Sequence, residues 1–167
     1  MTKKKICMLG AFAVGKTSLV QRCVENLFSE KYQATIGVRV DKKVVTVDGK
    51  TVELILWDMA GNDEYHKIRT SYLRGASGYL LVADKTRTNT LDVALDMHKI
   101  VQDLLGKVPF LILLNKWDIE GKWDITQTTV ANLHQDGWGV MKTSAKTGMG
   151  VNEAFETLAR RMIESET

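Results

Sequence analysis

Proline occurs once in the 167 residues and cysteine twice, aromatic residues make up 7%, and neither sign of charge dominates. Each shortage excludes something. With Pro109 as the only proline and no Pro/Gly/Ser-rich stretch, the chain offers no linker at which to divide it. A single domain over residues 1–167 is therefore expected. Cys7 and Cys23 have no CxxC partner and no metal-ligand spacing, which excludes a disulfide framework and a cysteine zinc site. Two buried thiols in a reducing cytoplasm are expected. No apolar run approaches the ~20 residues of a membrane span, and the apolar stretch after Lys5 is too short for a signal peptide. The last residues, 163–167, contain no cysteine, so no prenylation signal or other membrane anchor is expected, and the location expected is cytoplasmic. Lysine plus arginine number 23 and aspartate plus glutamate 20, for a formal charge of +3, which is not the footprint of a nucleic-acid-binding surface. Lys3, Lys4 and Lys5 fall short of a polybasic membrane cluster and read as a solvated strand start. His66, His98 and His134 share no pattern, so they are expected on the surface or on helix faces rather than in a metal or catalytic cluster.

What the chain does have is 44% hydrophobic residues, enough for one sizeable core, arranged as short apolar runs alternating with longer segments of helical period. That alternation predicts an α/β fold. Strands are expected at 5–9, 38–47, 51–57, 79–83 and 110–114, with a short sixth at 139–142. Helices are expected at 16–26, 64–74, 89–105, 126–135 and 151–163. Asp48-Gly49 is a two-residue hairpin signal, so the strands flanking it should be antiparallel and the sheet mixed.

Gly10-Ala11-Phe12-Ala13-Val14-Gly15-Lys16-Thr17 fits GxxxxGK[ST], placed after a strand and opening a helix as that motif requires. Backbone N–H groups from Ala13 to Thr17, with Val14 and Gly15 between, would converge on a β-phosphate at the positive helix end. Ser18 follows in the same turn. Gly10 and Gly15 let the backbone bend and approach, Lys16 supplies a charge between β- and γ-phosphates, and the Thr17 hydroxyl can ligate Mg²⁺. A glycine-rich turn with an incidental lysine is the ordinary alternative. The loop alone selects neither base nor reaction.

Asn115-Lys116-Trp117-Asp118 follows an apolar strand, which places it at the carboxyl edge of the sheet. One carboxylate there, Asp118, can accept both N1–H and the 2-amino group of guanine, whereas adenine would face it with a lone pair. Asn115 would brace the loop and Lys116 would lie along the ring. Asp58-Met59-Ala60-Gly61 ends another strand; Asp58 can reach Mg²⁺ through its water, and the Gly61 N–H can reach a γ-phosphate.

With these motifs in this order, the chain resembles the Ras superfamily of small GTPases over its full length, and within it the Rab- and Rho-like branches. The resemblance implies the three-layer P-loop NTPase fold, with a six-stranded mixed sheet holding one antiparallel strand and about five helices. It also implies GTP or GDP with Mg²⁺ as ligands. Tyr32-Gln33-Ala34-Thr35-Ile36-Gly37 resembles the first switch, in which Thr35 ligates Mg²⁺ and senses the γ-phosphate. Phe28 matches the aromatic that packs on guanine. Ser144-Ala145-Lys146 resembles the SAK element, in which the Ala145 N–H meets guanine O6. Effectors, an exchange factor and a GTPase-activating protein would read residues near 30–40 and 60–75 of a monomer. On this reading Lys16, Thr35, Gly61 and Asn62 carry the catalysis.

Two departures from the family pattern bear on hydrolysis. Phe12 stands where a small residue is usual, and its ring would intrude on the attacking water or fold outward as part of a partner surface. Asn62 stands where glutamine usually orients the water, and is one methylene shorter. Slow GTP hydrolysis is expected, the alternative being a nucleotide-locked binding module with negligible turnover. Met59 and Ala34, in place of the usual threonine and proline, are expected to matter less.

Overall fold

The computed structural model describes residues 2–29, 37–59, 70–120 and 125–166. Among these, six strands form one sheet: β1 (Thr2–Gly10), β2 (Val38–Val47), β3 (Lys50–Met59), β4 (Gly78–Asp84), β5 (Phe110–Asn115) and β6 (Val140–Lys142). The strand order is β2-β3-β1-β4-β5-β6, and only the β2–β3 pair is antiparallel. The hairpin between them turns through Asp48 and Gly49, both at positive φ (51° and 78°), as the Asp-Gly pair requires. Helices α1 (Lys16–Glu25), α3 (Thr88–Leu105), α4 (Gln127–Gln135) and α5 (Val151–Glu164) match the expected spans to within one or two residues. Of the helix expected at 64–74, the described part is α2 (Thr70–Leu73).

Period-2 alternation in β1 sends Ile6 and Met8 to one face and Cys7 and Leu9 to the other, and each face is covered. Ile6 and Met8 join a core with Leu19, Val20 and Cys23 of α1 and Ala154, Phe155, Leu158 and Met162 of α5. Cys7 and Leu9 join a second core with Leu91, Ala94, Met97 and Val101 of α3 and Val130 and Leu133 of α4. Burial on both faces is why β4 and β5 read as unbroken apolar runs. The result is the three-layer α/β arrangement. Both cysteines are buried free thiols. Among the described residues, no helix is long and apolar enough to cross a membrane.

One local expectation is corrected and another is narrowed. Of the three lysines, Lys3 is exposed, but Lys4 is buried and ion-paired with Glu166 beyond α5. The Lys5 ammonium reaches the Arg74 carbonyl and lies 3.7 Å from the centre of the Trp57 ring. The strand begins three residues before its expected start at Lys5 because pairing of residues 2–4 with Val52–Leu54 of β3, not side-chain hydropathy, sets its start. For His98 the helix-face alternative holds: it is buried on α3, with Nδ1 2.8 Å from the Tyr79 hydroxyl and its ring against Phe110 and Trp138. His134 is exposed, and His66 lies outside the described residues.

Burial lowers the pKa of His98 below its ordinary value. The folded state therefore favours the neutral ring, and between the folded and unfolded pKa values the unfolded chain binds more protons. Stability is fully present above the unfolded value of about 6.5 and is lost as pH falls below it. We expect the urea unfolding midpoint to fall between about pH 7.5 and about pH 5.5, and His98→Phe to remove part of that fall. Identical pH dependence in the two proteins would contradict this.

Candidate functional site

Most of the predicted site residues that are described gather where β1, β3, β5 and the loop after β6 end, along the carboxyl edge of the sheet. The loop from Gly10 to Thr17 leaves β1 there. A Cβ on Gly10 would stand 2.5 Å from the Val82 carbonyl oxygen, and one on Gly15, at φ 102°, would collide with the Asn115 amide. Both positions therefore exclude a side chain. Ala13 holds φ 62°, an uncommon conformation for a residue with a Cβ, so the loop stores local strain. Gly15 caps α1 without a side chain, and the first turn holds no acidic residue, an arrangement suited to an anion from outside.

Lys16, only 6% exposed, arches back over the loop and donates to the carbonyls of Gly10 (3.0 Å) and Ala11 (3.1 Å). Burial brings its pKa down to about 8; the Asp58 charge opposes this and the Arg87 charge reinforces it. Asp58, fully buried near the end of β3, accepts the Thr17 hydroxyl at 2.6 Å. Two hard oxygen donors, one from the first turn of α1 and one near the end of β3, thus meet beside the lysine, a donor pair that suits Mg²⁺ and not a softer ion. Among the described residues, no group of three His, Cys, Asp or Glu side chains is placed to hold a metal, so an ion here would draw its other ligands from water, ligand phosphates or residues outside that set.

Asn115 binds the loops together. From the end of β5, where it is almost fully buried, its amide donates to the Val14 carbonyl at 2.9 Å. Its oxygen accepts the Thr143 hydroxyl (3.1 Å) and the Ala145 N–H (3.3 Å). One side chain therefore joins segments that are 101, 28 and 30 residues distant. Lys116, itself at φ 65°, spans the same gap: its ammonium donates to the Ala13 carbonyl at 2.9 Å and pairs with Asp84 at 3.0 Å. The Ser144 hydroxyl donates to Asp118 at 2.7 Å and accepts the Thr147 N–H at 3.1 Å, which fixes the rotation of that carboxylate.

Three residues not singled out in the sequence take part. Asp84 ends β4 as Asn115 ends β5, and that position was the signal available. Burial would raise its pKa, but the Thr86 hydroxyl and amide and the Lys116 ammonium outweigh it and hold the carboxyl below its usual value. Arg87 pairs with Asp84 (3.1 Å) and donates to the Phe12 carbonyl (2.9 Å), bracing the phosphate loop from outside. Arg22 on α1 donates to the carbonyls of Ala145 (2.8 Å) and Lys146. Its local partner, Asn26 four residues on, gives no hint of this role, because the two carbonyls lie more than 120 residues away.

Of the remaining predicted residues, Phe12 is 46% exposed, Phe28 packs half-buried against the α1–α5 core, and Ser18 is half-buried in the first turn of α1. Tyr32, Thr35, Gly61 and Asn62 lie outside the described residues.

Comparison with known proteins agrees with this arrangement. The profile of the Ras family matches residues 5–164. Ras-related protein Rab-13 of Mesocricetus auratus is 35% identical over 161 residues, covering 95% of this chain and 79% of that protein. Ras-related protein Rab-21 of Geodia cydonium is 34% identical over 165 residues, covering 98% and 72%. Ras-related protein Rab-8A of Bos taurus is 35% identical over 158 residues, covering 93% and 76%. A match along nearly the whole chain, with the described motif residues in one cluster, leads to a single conclusion: the chain belongs to the Ras family and is a Rab-like small GTPase.

Proposed function

We propose that residues 1–167 form one G domain that binds GTP and GDP with Mg²⁺, hydrolyses GTP slowly, and signals the presence of the γ-phosphate to protein partners. The observation that carries this reading is the Asn115 side chain, which couples the phosphate loop to both base-side loops. A nucleotide spanning that junction would be gripped at both ends by a pocket whose parts are already tied together.

The roles follow from the chemistry of each group. The amides of Ala13 to Thr17 and the Lys16 ammonium hold the β- and γ-phosphates. Thr17 and Asp58, with Thr35 from the first switch, would hold Mg²⁺, whose charge would be supplied to the phosphate oxygens. Asp118 accepts N1–H and the 2-amino group of guanine. The Ala145 N–H, bonded to Asn115 at a long 3.3 Å, would share its proton with guanine O6. Effectors and regulators would read the segments near 30–40 and 60–75.

Slow hydrolysis rests on Phe12 and Asn62. The rate of an in-line attack depends on where the water is held, and a misplacement of about 1 Å costs on the order of 10²-fold. In single-turnover assays, with nucleotide identity followed by chromatography, Phe12→Gly and Asn62→Gln should each hydrolyse GTP about tenfold or more faster than wild type. Three equal rates would remove both residues from the explanation. No turnover in any of the three would favour a nucleotide-locked module.

A further inference from the structure

Lys85 directly follows β4 and is 0% exposed, in a place where an apolar side chain would be buried without electrostatic cost. Taking an ammonium out of water costs several kcal/mol unless oxygens replace its hydration. Two carbonyls do so: Ile119 at 2.6 Å and Trp117 at 3.3 Å. The face of the Trp117 indole adds to them, its centre 4.8 Å from the ammonium, and Lys142 sits 4.7 Å from that ring. The two carbonyls stand on either side of Asp118. The Lys85 main chain grips the same segment, its N–H donating to the Asn115 carbonyl (3.1 Å) and its carbonyl accepting from Ile125 (3.0 Å). Burial lowers the Lys85 pKa, while the negative charges of Asp118 and Glu120 oppose that shift.

We propose that Lys85 is a positioning residue that sets base specificity: by fixing the carbonyls before and after Asp118, its ammonium aims that carboxylate at the purine edge. This rests on the reading of Asp118 as the guanine-recognising group. Lys85 touches no ligand itself, and its effect passes through the loop backbone. Without the ammonium, both carbonyls must find other donors, and the peptide units carrying Asp118 rotate to reach them.

The test compares affinities for GDP and IDP, whose base lacks the 2-amino group and so probes one of the two hydrogen bonds Asp118 would accept. Lys85→Met keeps the length of the side chain and removes its donors. Its preference for GDP over IDP should fall about fivefold or more relative to wild type. A purely structural lysine would lower thermal stability and both affinities in parallel and leave the ratio unchanged, which would overturn the proposal. Lys85→Gln retains a shorter neutral donor and should give an intermediate ratio; it carries the same test if Lys85→Met does not fold. Asp118→Ala serves as the reference. If it leaves the ratio unchanged, the reading of Asp118 fails and the Lys85 proposal falls with it. If Asp118→Ala collapses the ratio while both Lys85 variants preserve it, the Lys85 proposal alone is wrong.

Discussion

Lys16→Ala is expected to weaken both GDP and GTP binding by on the order of 10²- to 10³-fold. An ammonium that is 6% exposed, and whose pKa burial has brought down to about 8, carries its charge at a cost the loop only partly offsets through two carbonyls. A phosphate beside it would complete the compensation. Removing one partner of such a buried pair typically costs about 3–5 kcal/mol, because the other charge is left without its counterion. The alanine variant should fold, since Val14 and Leu19 pack the loop and α1 into the core without help from the lysine side chain. Titration with a fluorescent GDP analogue checks the result. A loss below about fivefold would mean that Lys16 serves the loop's own carbonyls and little else.

Asp118→Asn should invert the base preference. The asparagine amide presents one acceptor and one donor where aspartate presents two acceptors. Guanine, with two adjacent donors, then meets an unmatched N–H. Xanthine, with N1–H beside a 2-oxo group, meets a complementary edge. GDP affinity should fall by about 10²-fold or more, and XDP should become the better ligand. The Ser144 hydroxyl, which donates to this carboxylate at 2.7 Å, can donate equally to the amide oxygen, so the loop need not rearrange. Competition between GDP and XDP on wild type and variant measures the exchange. An unchanged ranking would place guanine recognition elsewhere.

The elements legible in the sequence share a physical reason. Strands β4 and β5 are buried on both faces and so write themselves as unbroken apolar runs, and Asp48-Gly49 dictates its own hairpin. The phosphate loop and the Asn115–Asp118 segment were legible because each is short and its residues act together within a few positions. What stayed hidden depends on packing between distant segments. Lys4 looks solvated among lysines, but it is buried and pairs with Glu166 from the far end of the chain. Arg22, Arg87 and Lys85 bind main-chain carbonyls, which every residue possesses and no sequence pattern announces. His98 was readable: Leu91, Ala94 and Val101 put it on the buried stripe of α3 at spacings of three, four and three. Asp58 and Met59, expected just past a strand, extend it, because pairing with Arg39 and Val38 continues after the apolar run ends.

The proposed pocket would hold phosphates at one end and a guanine edge at the other. The most direct measurement is to denature the purified protein and identify by chromatography the nucleotide it releases. GDP or GTP, near one equivalent per chain, is the predicted result; adenine nucleotides, or no nucleotide from protein that also fails to bind added GDP, would contradict it.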